Sequence, residues 1–309
     1  MRTALVILEL LALVPPLLKL LVALYPKAST TTRRIYLFLY LLIPSLIFVD
    51  HGHFQPNSAM HGLVLWAVYF IITQRIEWAV VFMVAAVNFK QMALYFAMPF
   101  AFMTLGSLYK LACQRFKGDK PKIIGYMGVR CLGLALVFAA TIGVLWYPWV
   151  RETLLGNPSL GASSVLARIF PLRRGLFEDK VASFWCVLNN FVKVHQVFPQ
   201  EIQIRLATLL TLVTSLPANV MLVRNPSPKN FLLCLFTTSL CFFLYSFHVH
   251  EKQILLPLLI FGLQGLTEFR HYVSMFGLVA NFSMYHLYCK DNNQVNYIAL
   301  NVIWLVVAR

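Results

Sequence analysis

Charge is scarce in this chain, and acid is scarcest. Asp and Glu together number 11 among 309 residues, and the four charged types make up only 12% of the sequence. A soluble domain carries about 25% charge and about 45–50% apolar residues. Here 60% are hydrophobic and the mean hydropathy is +0.72. So little charge cannot solvate a globular surface of this size. The composition excludes a soluble domain and predicts an all-α polytopic transmembrane helix bundle, built as a single domain over residues 1–309.

Several signatures are also missing. No CxxC pair occurs, so the 6 cysteines do not form a zinc or redox framework. Cys234 and Cys241 are seven apart and would share a helix face as small packing residues. Cys186 and Cys289 fall near one predicted side of the membrane, where a disulfide could form. There is no P-loop, GxGxxG, GxSxG or kinase signature, which leaves nucleotide chemistry and serine hydrolysis without support. The zincin pattern fails because Ile254 stands four positions after His250. Neither a metal nor another cofactor is expected. No internal repeat or low-complexity tract is present.

Basic residues are what the chain does have, 26 Lys and Arg for a net charge of +15. They are scattered among apolar runs and form no stripe interleaved with aromatics, so no nucleic-acid partner is expected. A positive-inside bias explains them better. Basic loops also suit anionic or phosphate-bearing lipids, and the bilayer is the first partner implied.

A membrane span needs about 20 apolar residues, somewhat fewer when the helix is buried. Candidate spans are 4–24, 35–49, 59–73, 77–88, 92–109, 123–149, 201–223, 230–247, 253–268, 272–289 and 295–309. The pairs around 77–109 and 253–289 could merge or be re-entrant. The first, with Pro15, Pro16 and Lys19 and no small-residue cleavage site, reads as a kinked membrane helix and not as a signal sequence. Assigning alternate connections to opposite sides gathers Lys27, Arg33, Arg34, Arg75, the 110–122 run, Arg224, Lys229 and Arg270 on one side, the cytosolic one. The other side receives VDHGHFQPN, NFKQ, the long 148–200 segment, HVHEK and CKDNN. Seven of the 11 acids follow them there: Asp50, Glu152, Glu178, Asp179, Glu201, Glu251 and Asp291. The long segment is too apolar for disorder, and its aromatics alternate with charge, which predicts short amphipathic helices in the interface.

Four polar clusters therefore converge on one membrane face. In FVDHGHFQPN, Gly52 between two imidazoles favours a turn. His51 and His53 could ligate a metal, cap a helix end, or hydrogen-bond a polar substrate together with Asp50, Gln55 and Asn57. In NFKQ, Asn88, Lys90 and Gln91 stand between two apolar segments, and a lysine there asks for a partner. In FPLRRGLFEDK, Arg173 and Arg174 could grip phosphate in bidentate fashion, or Glu178 and Asp179 could pair with them internally. In HVHEK, a helix would put His248, Glu251 and Lys252 on one face and His250 elsewhere. Lys252 there either snorkels, neutralised by Glu251, or meets a lipid phosphate.

VDHGHFQPN, NFKQMALYFAMPF, FPLRRGLFEDKVASFWC and FHVHEK occur in the order found in the endoplasmic-reticulum glucosyltransferases of N-glycan precursor assembly. The chain resembles that family over roughly residues 30 to 260, and RGLFEDKVASFWC is similar to the branch that adds the first, α-1,3-linked glucose. The resemblance implies a multi-span glycosyltransferase C fold in the endoplasmic-reticulum membrane with a luminal active face. It implies dolichyl-phosphate-glucose as donor and a dolichyl-diphosphate-linked nine-mannose oligosaccharide as acceptor. On that implication His51, His53, Gln55 and Asn57 line a luminal cavity, and Lys90, Arg174, His250 and Lys252 contact phosphate. Asp50, Glu178 and Asp179 orient sugar hydroxyls, while Gln91, His248 and Glu251 complete the binding set. His250 is the candidate for a catalytic role.

Two departures accompany the likeness. Pro56 stands where the family more often has an aromatic residue. The family's first spans and first luminal loop, which carries the acid regarded as its base, have no counterpart here. The chain thus reads as truncated, with transferase activity not expected of it alone. An inactive fragment or pseudoenzyme, and a polytopic transporter with polar groups between broken helices, are the competing readings.

Overall fold

In the computed structural model, residues 2–157, 159–169 and 181–308 are described. Among them every regular element is helical, with no strand. The first helix, α1 (Thr3–Leu24), is continuous over 22 residues. Its residues Glu9–Leu13 widen into a π turn directly before Pro15 and Pro16. Two adjacent prolines offer no backbone N–H, so the ladder shifts where they enter it.

α2 (Thr30–Leu41) starts at Ser29, whose hydroxyl accepts from the Thr32 amide at 3.0 Å. It meets α3 (Pro44–Gly52) at a 53° bend, because the residue before Pro44 is pushed out of helical backbone. α4 (Asn57–Ile72) and α5 (Ile76–Phe89) form a hairpin. α1 crosses α4 at Gly62, where the Ala12 and Leu13 backbone leaves no room for a Cβ. α6 (Gln91–Phe116) opens with a 3₁₀ turn, and α7 (Lys120–Leu154) follows as the longest helix. α7 runs on through Pro148, so YPWVRETLL, expected in a loop, is helical. Short helices α8 (Ala162–Ile169), α9 (Phe184–Phe191) and α10 (Val194–Val197) precede α11 (Gln200–Arg224) and α12 (Pro228–Tyr245). The chain closes with α13 (Leu255–Gly262), α14 (Arg270–Ser283), α15 (Tyr285–Lys290) and α16 (Gln294–Val307).

Five helices, α1, α6, α7, α11 and α12, are long and apolar enough to cross a membrane, and α2 with α3 makes a sixth if the bent pair is one span. The architecture is that of an all-α polytopic membrane protein. Two expected spans take another form. The 253–268 stretch is a 3₁₀ turn, Glu251–Ile254, and the 8-residue α13, which is buried along its whole length. The 272–289 stretch is divided into α14 and α15 at Met284.

α13 ends early for a visible reason. Tyr25 Oη donates to the Leu263 carbonyl at 2.6 Å, Tyr40 Oη to Leu259 at 2.9 Å, and Tyr36 Oη to Gly262. Carbonyls that a longer helix would use are satisfied by tyrosines from α1's end and α2. Around α13 lies the core, with Leu17, Leu20, Phe96 and Phe231 in the same buried cluster. α7 is its opposite, and Ile123 is its one buried residue. The six cysteines are free thiols, so Cys186 and Cys289 are not bridged.

The bundle thus has two polar ends. At one, Arg33 donates to the Tyr25 carbonyl at 3.3 Å and Lys229 pairs with Glu268 at 2.5 Å. At the other stand residues 50–57, 88–91, 248–253 and 289–293.

Candidate functional site

The last three residues of α3 and the residue after it carry DHGH. The π turn Phe48–Gly52 closes with the His53 amide on the Phe48 carbonyl at 2.8 Å, and Phe54 takes a positive φ of 56°. The two imidazoles therefore diverge. His51 Nε2 meets Glu9 Oε2 at 2.8 Å, in the π turn of α1. His53 Nδ1 meets Asp291 Oδ2 at 2.6 Å, and its Nε2 faces Lys252 Nζ at 2.9 Å.

Asp50 is buried and fully engaged. Its carboxylate accepts from Asn57 Nδ2 at 3.0 Å, from the Ser58 amide at 2.8 Å and from the Ser58 hydroxyl. Asn57 turns its own carbonyl oxygen to Lys90 Nζ, which also donates to Gln55 Oε1 at 3.3 Å. Lys90 is the residue between α5 and α6, where the second cluster reaches the first. Burial pushes its ammonium below the ordinary lysine range; Asp50 pulls it back up, and Lys252 pushes it further down. A lysine disfavoured as a cation by burial and by a second lysine is primed to accept an anion.

A cavity of about 440 Å³ opens here. Gln55 lines it from the first cluster, Asn88, Lys90 and Gln91 from the second, and His250, Lys252 and Gln253 from the fourth. Ile169 reaches it from α8, one residue before the third cluster begins. Among the described residues its charged lining is basic only, with no carboxylate on the wall. Tyr95 of α6 fixes the fourth cluster: its hydroxyl donates to Gln253 Oε1 at 3.0 Å, and the same oxygen accepts the His250 amide at 2.9 Å.

Beside this cavity runs an apolar groove of about 540 Å³ between α5, α6 and α7. Val87 and Asn88 line both spaces. At this seam Asn88 donates to the Val84 carbonyl at 2.8 Å and accepts from Trp146 Nε1 at 2.6 Å. A polar chamber is thereby joined to a greasy one by two shared residues.

The structure brings together Gln55, Lys90, Gln91, His250 and Lys252 on one wall. It keeps Asp50 and Asn57 behind that wall, sends His51 to α1 and places His53 behind Lys252. Glu251 is buried beside Lys252, at 4.0 Å, and His248 is exposed with its ring edge-on to Phe247. The HVHEK segment bends at His248, is extended at His250 and is helical only from Glu251, so the shared helix face does not form. His250 lines the cavity instead. Arg173, Arg174, Glu178 and Asp179 lie outside the described residues. Among the described residues no three His, Cys, Asp or Glu side chains meet as a metal site.

Sequence reasoning missed Glu9 and Asp291 as partners of the two histidines. Glu9 could have been flagged as the one acid in its apolar run, an expensive residue that implies a partner. Asp291 gave only the weak signal of a polar turn on the same face.

A model of the ALG6, ALG8 glycosyltransferase family matches residues 1–309. The chain is 35% identical over 317 residues to a probable dolichyl pyrophosphate Man9GlcNAc2 alpha-1,3-glucosyltransferase of Schizosaccharomyces pombe, covering 98% of this chain and 58% of the relative. It is 38% identical over 291 residues to a dolichyl pyrophosphate Man9GlcNAc2 alpha-1,3-glucosyltransferase of Pongo abelii, covering 94% and 54%. A probable enzyme of the same name from Caenorhabditis elegans is 40% identical over 257 residues, covering 82% and 46%. The chain spans about half the length of the curated relatives it matches.

Proposed function

Because the chain belongs to the ALG6, ALG8 glycosyltransferase family, we propose that it acts in transferring glucose from dolichyl-phosphate-glucose to the dolichyl-diphosphate-linked nine-mannose N-glycan precursor. The linkage formed is α-1,3, and the setting is the endoplasmic-reticulum membrane with the cavity on the luminal side. The relatives' names support the acceptor and the linkage. The carrying observation is the cavity itself: two lysines and His250 on a wall that has no carboxylate among the described residues, opening beside an apolar groove. A polyprenyl phosphate has that same division, an anion on a hydrocarbon chain.

A β-linked glucosyl phosphate donor giving an α-linked product means inversion at the anomeric carbon. The acceptor hydroxyl oxygen attacks that carbon and its proton passes to a carboxylate base. The bond from the anomeric carbon to the phosphate oxygen breaks, and the electron pair leaves with dolichyl phosphate. Phosphate needs no strong protein acid to depart. It needs preplaced positive charge, which Lys90, Lys252 and His250 offer. Asp50 is not assigned as base, since its oxygens are spent on Asn57 and Ser58.

The test is thiol labelling of His250→Cys in microsomes. Dolichyl-phosphate-glucose should protect the introduced cysteine and transfer should be lost at normal protein levels. Full transfer by this variant, or labelling that the donor leaves unchanged, would remove the cavity from the reaction.

A further inference from the structure

Lys252 is held on the cavity wall by an arrangement whose distal member comes from the far end of the chain. Its Nζ lies 2.9 Å from His53 Nε2, and Asp291 Oδ2 lies 2.6 Å from Nδ1 of the same ring. An ammonium has three donors and no acceptor. The ring nitrogen facing it must therefore present a lone pair, which leaves the ring proton on Nδ1. That N–H points at the Asp291 carboxylate, an acceptor. Carboxylate, imidazole and ammonium thus select one neutral tautomer between them, each supplying what the next requires.

We infer that Asp291 is a positioning residue for the phosphate end of the cavity: through His53 it holds the Lys252 ammonium toward the cavity and off Glu251. The inference rests on the reading of this cavity as a polyprenyl-phosphate site. Three observations carry it. Lys252 has a competing partner, the Glu251 carboxylate, at 4.0 Å, and Glu251 is buried. Were the His53 acceptor removed, Lys252 would fall toward that carboxylate and its charge would be cancelled within the protein. The Asp291 turn is also stiffly built, with Asn292 at a positive φ of 54° and the Asn293 amide on the Tyr288 carbonyl at 2.8 Å. Finally, the turn and His53 share one footing. Phe48, whose carbonyl takes the His53 amide, stacks on Tyr288 with ring centroids 3.5 Å apart. The Asp291 turn and the His53 backbone are both referenced to Tyr288, so the carboxylate and the ring are held in register with each other.

The experiment uses the chain in lipid nanodiscs with ¹⁵N-labelled histidine, the His53 signals being assigned by their loss in His53→Gln. Wild type at neutral pH should show His53 with a protonated Nδ1 and an unprotonated Nε2. Asp291→Leu should leave a tautomer mixture. Dolichyl phosphate, titrated as the probe, should bind about tenfold more weakly to Asp291→Leu and to Lys252→Met. The double variant should be no weaker than Lys252→Met, because Asp291 acts only through that lysine. Asp291→Glu should restore part of the affinity.

A protonated Nε2 or a doubly protonated ring in wild type would overturn the relay whatever binds. Unchanged affinity in Asp291→Leu, with a loss in Lys252→Met, would overturn the positioning role. Wild type that shows the fixed tautomer yet fails to bind dolichyl phosphate would sink the phosphate reading of the cavity and leave the relay standing.

Discussion

The two ends of the bundle solve the same problem with different chemistry. At the tyrosine end, the Tyr25 hydroxyl closes a carbonyl of the turn after α13, and Tyr36 and Tyr40 take carbonyls within α13 itself. Each of those three hydroxyls is matched to a neutral backbone acceptor, and the charged groups at this end, Arg33 on the Tyr25 carbonyl and Lys229 on Glu268, are already partnered within the protein. At the other end, Lys90 stands on Gln55 and Asn57 with Asp50 behind, and Lys252 stands on His53 with Asp291 behind. Charged groups are held there by chains of partners and still face a cavity. Neutral hydrogen bonds to backbone fix a helix end, and nothing further is asked of them. Held charges around an open space cost desolvation that a folded scaffold alone would not require. The difference marks one end as mechanical and the other as chemical.

That contrast can be tested from both sides. The largest effect is expected from Lys90→Met, which removes one of the two lysines that line the wall among the described residues. Glucosyl transfer in microsomes should fall by about 10²–10³-fold, as when a preplaced charge-stabilising donor is lost, with protein level unchanged. Retained transfer would mean that the basic wall is structural too.

A smaller effect concerns pH. Burial pushes Lys90 below the ordinary lysine range, so its charge is lost on alkalinisation before an exposed lysine would lose its own. Donor affinity should decline on the alkaline side below about pH 10.4, the unperturbed lysine value. Lys90→Arg should carry the decline to higher pH. An alkaline limb that does not move in this variant would detach it from Lys90.

The smallest effect is expected at the tyrosine end. Tyr40→Phe deletes the 2.9 Å hydrogen bond to the Leu259 carbonyl and leaves a buried acceptor short of a donor. Thermal unfolding should register a loss of about 1–3 kcal/mol, while transfer per folded molecule stays as it was. A large loss of transfer at unchanged stability would erase the distinction between the ends.

Much of the chemical end was readable beforehand. Lys90 and Asp50 are costly in apolar surroundings, and their cost alone made them candidates. Gln55, Gln91, His250 and Lys252 were nominated with them and do line one cavity. Asp50 was nominated to orient sugar hydroxyls and Asn57 to line the cavity; both stand behind the wall, bonded to each other at 3.0 Å, with Asp50 inside the π turn that closes α3. Such a turn has no composition signal. His248 and His250 exchanged expectations because the chain bends at Phe247 and His248 and turns helical only from Glu251, so no helical spacing relates the two rings. The apolar groove was invisible, since its lining reads as ordinary span residues in three helices.

The amino-acid order alone settled that the chain is a helical membrane bundle, because scarce charge and long apolar runs admit few other solutions in a bilayer. It also nominated polar residues from three distant segments, Gln55, Lys90 with Gln91, and His250 with Lys252, that line one cavity. The pairings belong to the folded molecule. His51 to Glu9, and His53 between Asp291 and Lys252, join residues 42, 238 and 199 positions apart. Contacts of that range depend on helix crossings, bends and early helix ends, each set by close packing and by which carbonyl finds which donor. No local pattern encodes them.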